Sequence, residues 1–539
     1  MAVRNERYDV HSVSLAYDGN VTSSPRLAAT IASNASLAVA RVLIQTISVF
    51  AASVLLTRVL GPSDFGTYRL ALSIVWVLEF ATVLAFPSAT TKFVAELADR
   101  EPGTTFHVLR FFLVRATVCY VVVAVPFVLL SPVIARFYHD ETLVPLLILG
   151  GVSVLPGLWS GIFQAALRGR QRFGALSLMA VTHAVVNFTL IGVLLWQGGR
   201  VFALFALFIV LNALNLVMAL AWTWPDVRRP ATGAAVPAEA RRRMLRYAVL
   251  FGATNAANLL LSERVEVFFL GRLWNSAEVG FYSLAVSLAL YTRRLAPTAL
   301  DEVLFPVIAR LEGAGERWSV ANAWVHSSRY LAMLGFPMLF GGALVAEPAV
   351  VLLFGATYRP AASALALLIS AAGFVAVAHP AGSVILSQER HRFLLTGTVL
   401  AGVASVLLDL ALIPPYGAVG AAAANSVILA GWSSVQIGYV ASRLRARLPL
   451  GNLARLGAAA AIAILPGLPI RMWAPAPPAV ELALILVTFV LIYPFALVAM
   501  RSLLPDDVER LLAAADALPR LMRVPLRRAL GHLRPAATA

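Results

Sequence analysis

Charge is scarce in this chain of 539 residues: Asp, Glu, Lys and Arg make up 13%, against 60% hydrophobic residues and a mean hydropathy of +0.81. A soluble domain of that composition could not cover its surface with polar atoms, so the sequence reads as an all-α integral membrane protein. Cysteine is almost absent. The single one, Cys119, lies inside an apolar run, which excludes a disulfide framework and a cysteine-based metal site. Lysine is limited to Lys92, and no Gly-x-x-x-x-Gly-Lys-Ser/Thr loop occurs, so ATP hydrolysis within the chain is not expected. Long connections are lacking too. Those around Pro132 to Glu141 and Trp274 to Gly280 are too short for the outer domain that a membrane glycosyltransferase or polysaccharide polymerase would need. No enzyme activity, metal or cofactor is therefore expected.

What the chain does have is arginine, and a net charge of +16. In a soluble protein this would suggest nucleic acid. Here the placement of the arginines explains it better, and no nucleic-acid partner is expected.

The chain also repeats itself. Arg58-Val59-Leu60-Gly61-Pro62-Ser63-Asp64-Phe65-Gly66-Thr67-Tyr68-Arg69-Leu70-Ala71 returns 214 residues later (58 to 272) as Arg272-Leu273-Trp274-Asn275-Ser276-Ala277-Glu278-Val279-Gly280-Phe281-Tyr282-Ser283-Leu284-Ala285. Arg58, Gly66, Tyr68 and Ala71 recur without a gap, between long apolar runs, so each copy reads as a Gly-bearing turn joining two membrane helices. Leu130-Ser131-Pro132 corresponds to Ala346-Glu347-Pro348, and Arg170-Gln171-Arg172-Phe173 to Arg390-His391-Arg392-Phe393. Three anchors in one order make an internal duplication the economical reading.

Apolar runs of bilayer length, about 20 residues each, predict spans near 36–58, 67–90, 109–134, 143–166, 176–196 and 201–223. A second set follows near 246–271, 281–305, 329–353, 361–386, 394–413 and 417–440, and two more spans near 455–472 and 479–500. The expected organisation is a cytoplasmic tail over 1–35, a six-helix bundle over 36–224, a basic linker over 225–245 and a related bundle over 246–441. Two further helices over 453–501 and a basic amphipathic tail over 502–539 complete it, giving about fourteen transmembrane helices around a central cavity.

Orientation follows from the basic residues, which favour the cytoplasmic side. Alternate connections carry Lys92/Arg100/Arg110, Arg168/Arg170/Arg172, Arg228/Arg229/Arg241/Arg242/Arg243/Arg246, Arg310/Arg317/Arg329, Arg390/Arg392 and Arg443/Arg445/Arg447/Arg455. The opposite connections carry Arg58 with Arg69, then Arg136, Arg200, Arg272, Arg359 and Arg471. Both termini are thus expected in the cytoplasm. The last segment, with Leu511-Leu512, Leu521-Met522 and Leu526-Arg527-Arg528, is patterned to lie on an anionic leaflet, or equally to be a solvated tail.

Function is sought where polar groups sit at membrane depth, since each is costly unless it meets a partner or water. Arg41, Gln45, Ser48 and Ala52 share one face of the first helix, and Asn255, Leu259, Ser262 and Glu266 repeat that spacing in the seventh. Such a repeated face belongs at a water-filled cavity between the bundles. Glu263, Arg264, Arg293, Arg294 and Glu79 join it, the last aligned by the repeat with Arg293. Arg41, Gln45, Asn255, Arg264, Arg293 and Arg294 are the candidate substrate-binding residues. Glu79, Glu263 and Glu266 are the candidates for ion or proton coupling, because carboxyl groups one turn apart in a site of lowered dielectric invite a proton or cation. The competing explanation is an internal salt-bridge network that only holds helices together. Asp301, Glu302, Arg115 and Asp409 rank lower, being near a helix end or alone. Pro87, Pro126, Pro156, Pro297, Pro337 and Pro380 fall in or near the spans and permit bends of the kind alternating access uses.

The two sets of six plus two, the Leu60-Gly61-Pro62-Ser63-Asp64-Phe65-Gly66-Thr67-Tyr68 turn, the run from Ser262 to Gly271 into Glu278-Val279-Gly280-Phe281-Tyr282, and Leu412-Ile413-Pro414-Pro415-Tyr416-Gly417-Ala418-Val419-Gly420 carry a resemblance. Over residues 36 to 500 the chain resembles the polysaccharide-type (Wzx-like) flippases of the multidrug/oligosaccharidyl-lipid/polysaccharide exporter superfamily. The resemblance implies a monomeric transporter in a bacterial cytoplasmic membrane that carries a polyprenyl-pyrophosphate-linked oligosaccharide to the outer leaflet. A polysaccharide polymerase or glycosyltransferases are its candidate partners. Glu266 stands where the family more often has Asp, a conservative departure. The cavity arginines suit an anionic pyrophosphate. The alternatives are a drug or small-molecule exporter or a peptidoglycan-precursor flippase of the same superfamily and, from another class, a membrane glycosyltransferase or polymerase.

Overall fold

The computed structural model describes residues 25–83, 86–97, 104–228, 238–257, 264–473 and 476–503; within these, the side chains of 25–46, 104, 226, 253–257, 294–303, 306 and 473 lie outside the description. Its regular elements are helices: α1 Pro25–Val83, α2 Phe86–Leu97, α3 Thr104–Leu129, α4 Ser131–Phe137, α5 Leu143–Gly169, α6 Phe173–Trp196, α7 Val201–Val227 and α8 Ala238–Ala257. There follow α9 Arg264–Leu273, α10 Ser276–Gly313, α11 Arg317–Phe354, a 3-10 turn Ala356–Tyr358, α12 Ala361–Ser387, α13 His391–Leu444, α14 Leu450–Ile464, α15 Gly467–Trp473 and α16 Pro478–Ala499. Ten helical stretches among the described residues are long and apolar enough to cross a bilayer, and the chain is a multi-pass membrane protein.

Two of the ten are hairpins. The backbone leaves the helix at Gly61 (φ 74°, ψ 174°) in α1 and at Gly417 (φ 54°, ψ −131°) in α13, both in the left-handed half of φ space that favours glycine. Pro62 restarts the first helix, where a missing N–H costs nothing. Leu56 before the turn and Phe65 after it line the same space, so the two halves of α1 lie side by side. α8, α9 and α10 fall outside the ten: they carry Arg241, Arg242, Arg243, Arg264, Glu266 and Arg293.

The first helix begins at Pro25, ahead of the expected 36, because Pro25 sits at a helix start and Leu27, Ala28, Ala29 and Ile31 carry the helix inward. α10 and α11, 38 residues each, are about 57 Å long against a hydrocarbon core of about 30 Å, so they extend beyond it. Residues 1–24, 229–237 and 504–539, which hold most of the two expected tails and part of the linker, lie outside the described residues, as do Ser262 and Glu263.

Apolar packing differs between the two ends of the molecule. At the end carrying the repeated turns one contiguous core runs from Leu56, Tyr68 and Phe205 through Leu270 and Tyr282 to Tyr358 and Leu365, joining α1, α5 and α7 to α9, α10 and α12. At the other end the buried residues separate. One cluster, around Phe93, Phe112 and Ile162, takes in Met244 and Ala248 of α8; another, around Ile308, Trp324 and Ile385, joins α10, α11, α12 and α13. α14 and α16 pack on α11, where Leu453 and Leu456 meet Ala332 and Phe336, and the Tyr493 hydroxyl donates to the Met333 carbonyl at 2.7 Å.

Candidate functional site

The repeated turns close one end of the molecule against each other. A Cβ on Gly66 would overlap the Ser276 carbonyl, and a Cβ on Gly280 would overlap the Pro62 carbonyl. Residues 62 and 66 are the repeat counterparts of 276 and 280, so the contact is reciprocal, as a local two-fold axis requires. The arginines repeat the exchange. Arg58 donates to the carbonyls of Leu353 (2.7 Å) and Leu352 (2.5 Å), which the last turn of α11 leaves without helical partners. Arg272 reaches the corresponding end of α4, with His139 Nε2 at 2.9 Å and the Phe137 ring at 5.1 Å. Thr67 ties the seam by bonds of 3.1 Å to Asp140 and to Ser276, while Glu278 accepts from the Ala418 N–H at 2.7 Å beside the Gly417 reversal.

Below this seal lie two polar centres. In the first, the Arg264 guanidinium of α9 stands 4.3 Å over the Trp76 ring of α1, and the Glu79 carboxylate, one turn along α1, feels its charge. This centre bridges the two helix sets. The indole face gives the guanidinium a cation–π partner.

The second centre lies inside the second helix set. Glu266, two residues along α9 and so on its opposite face, is 2% exposed and accepts from Asn425 Nδ2 of α13 at 2.8 Å. Asp409, from the first half of α13, is fully buried and close enough to Glu266 for the two charges to interact; neither of its carboxyl oxygens has a hydrogen-bond partner among the described residues. Arg293 and Asn425 share the lining of an adjoining space of about 40 Å³. α9 can approach α13 because Gly417, Ala418, Gly420, Ala421, Ala422 and Ala424 present a surface of small side chains.

The structure gives the residues that the sequence groups at one cavity two sets of partners. Arg264 and Glu79 meet at the junction of the sets, and Glu266 and Arg293 lie around Asn425. Arg41, Gln45, Asn255 and Arg294 sit on described helices, with side chains outside the description, and Glu263 is outside it altogether. Asp409 and Asn425 are the residues that sequence reasoning ranked low or passed over. The signal for both was a lone polar side chain in an apolar span. Arg69, grouped with Arg58 in a connection, lies within a helix and lines a half-open space, because α1 restarts immediately after Gly61 and Arg69 is two turns along it.

Residues 55–363, more than half of the 539-residue chain, match the family of polysaccharide biosynthesis proteins. Over 263 residues the chain is 23% identical to the teichuronic acid biosynthesis protein TuaB of Bacillus subtilis (strain 168), covering 48% of this chain and 53% of that protein. The chain therefore spans about half the length of the curated relative it matches. Among solved structures it is similar to the lipid II flippase MurJ in an inward closed conformation, with TM-score 0.66 and 12% identity over 85% of this chain and 98% of that one. It is also similar to an inward-facing multidrug resistance MATE family transporter of the MOP superfamily, with TM-score 0.64 and 14% identity over 74% of this chain and 94% of that one. At such identities the likeness is one of fold. With more than half its length matched and this fold around the match, the chain belongs to the polysaccharide biosynthesis protein family.

Proposed function

We propose that this protein is a flippase that carries a polyprenyl-pyrophosphate-linked oligosaccharide across the bacterial cytoplasmic membrane by alternating access. In this reading residues 36–224 and 246–441 form two six-helix lobes joined by the linker 225–245, and 453–501 adds two helices. Fourteen passes leave both termini in the cytoplasm, and the protein works as a monomer beside the enzymes that build and polymerise the saccharide. It catalyses no covalent step.

The observation that carries the reading is Arg264, held at the junction of the two sets over the Trp76 ring. A pyrophosphate crossing the hydrocarbon region needs cations that can exchange partners, and the guanidinium fork matches its oxygens, while the lipid tail stays in the bilayer. Arg293 adds a second cation in the second helix set, Arg41 and Arg294 are the further candidates from the sequence, and Glu266 couples the path to an ion or proton. A cationic drug would be repelled along that path.

Replacing Arg264 or Arg293 by Ala is expected to lower surface-polysaccharide export at least about tenfold while leaving protein in the membrane, with Lys restoring only part because it lacks the bidentate fork. Export and membrane level are measured separately in cells without the native gene. Normal export by the Arg264→Ala/Arg293→Ala double variant would remove the arginines from the mechanism and put the drug-exporter reading ahead.

A further inference from the structure

We infer that the half-open space around Arg69 is a saccharide subsite that takes a sugar ring carrying a carboxylate; the inference rests on the flippase reading and names part of its cargo. The space, about 200 Å³, lies between both halves of α1, α6, α7 and α10. Arg69, Asn187, Ser53, Ser287 and Tyr291 supply its polar lining. On one wall the Tyr68 and Phe208 rings stack at 6.2 Å and 16°.

Each component answers to one part of an acidic sugar. The amide of Asn187 and the three hydroxyls can donate to and accept from ring hydroxyls. Aromatic faces take the apolar C–H face of a pyranose. Arg69 supplies one guanidinium, matched in charge and fork geometry to one carboxylate. A pyrophosphate, with more than one negative charge, is better served by Arg264 at the junction of the sets together with Arg293.

The internal repeat provides a control. The position 214 residues on from Arg69 is Ser283, which is 1% exposed, so the fold builds this turn-to-helix unit without a cation there. Arg69 is half-buried, and an arginine at membrane depth that the repeated unit forms without is a candidate for recognition. Place fits as well. Phe65 and Tyr68, flanking Gly66, line the space, so its occupant lies directly beneath the seal formed by the crossed turns. The non-lipid end of the cargo would be the part to reach it first.

The test uses the whole protein in nanodiscs and three probes: a polyprenyl-pyrophosphate disaccharide ending in glucuronate, the same lipid ending in glucose, and polyprenyl pyrophosphate without sugar. Native protein is expected to bind the glucuronate lipid about tenfold more tightly than the glucose lipid. Arg69→Gln should erase that preference and leave affinity for the glucose lipid unchanged; Arg69→Lys should keep part of it. Should Arg69→Gln fail to accumulate, Asn187→Leu and Ser287→Ala report on the same subsite by weakening both sugar lipids without affecting bare pyrophosphate lipid. Equal affinity for glucuronate and glucose lipids in native protein, or a preference that survives Arg69→Gln, overturns the subsite and leaves the flippase reading standing. Failure of native protein to bind any of the three overturns the flippase reading and the subsite with it.

Discussion

Gly66→Ala is expected to hold the turn end of the molecule ajar. The added methyl would occupy the position of the Ser276 carbonyl, a backbone atom that cannot turn aside as a side chain would, and Gly280→Ala meets the Pro62 carbonyl in the same way. Overpacking of this kind costs about 1–3 kcal/mol, which corresponds to a shift of about 5–150-fold against the sealed state. The measurement is labelling of Thr67→Cys by a membrane-impermeant maleimide in a Cys119→Ser background, because Thr67 is buried in the seam and bonded to Ser276. Labelling should rise by that factor in either glycine variant, and export should fall, since loading from the other side requires the seal. The double variant should add less than the two singles together, both having enlarged one contact. Gly174→Ala, with nothing within 4 Å of its added Cβ, serves as the control. Unchanged labelling in Gly66→Ala would mean that the crossed turns do not close this end.

The two turns were legible in the sequence because a turn written twice with a constant offset advertises itself; that they close against each other was not, since only the packing shows it. Most of the helices were legible for a similar reason: an apolar run of bilayer length has few other uses. Direction was not legible. Arg264 and Glu266 are two residues apart, so they leave α9 on opposite sides, and only the packing of α9 against the small-residue surface of α13 decides which side meets which neighbour. Repeat alignment misleads in the same way about partners. It pairs Glu79 with Arg293 as equivalent positions, yet the charge that reaches Glu79 is that of Arg264, because a two-fold relation brings together residues near its axis and not residues of equal rank. Asp409 ranked low because it stands alone in its own helix; its neighbour Glu266 comes from an element about 140 residues earlier in the chain, and no local pattern can show that.

Asp409→Asn and Glu266→Gln are expected to uncouple transport while leaving the fold as stable as before, or more so. Asp409 and Glu266 place two carboxyl groups in a site with 0% and 2% exposure, and Arg293 lines the adjoining space with Asn425. One guanidinium offsets one carboxylate. The second needs a proton or an ion to accompany it, since an uncompensated buried charge is among the costliest groups a fold can carry. A site that must take up and release one positive charge is what coupling requires, and a carboxyl pair kept at that expense is otherwise hard to explain. In proteoliposomes with an imposed proton or sodium gradient, each neutral variant should lose about 5–150-fold of the gradient-driven stimulation, the range of ordinary coupling free energies. The double variant should do no worse than the singles, because either removes the same exchangeable charge. Thermal unfolding separates this from a salt bridge that merely holds α9 to α13: neutralising one member of such a bridge would lower the midpoint, whereas removing one of two carboxyl groups that burden each other should leave it unchanged or raise it. A lowered midpoint with full gradient response in both variants would assign Glu266 and Asp409 to structure and leave the coupling residue to be sought elsewhere.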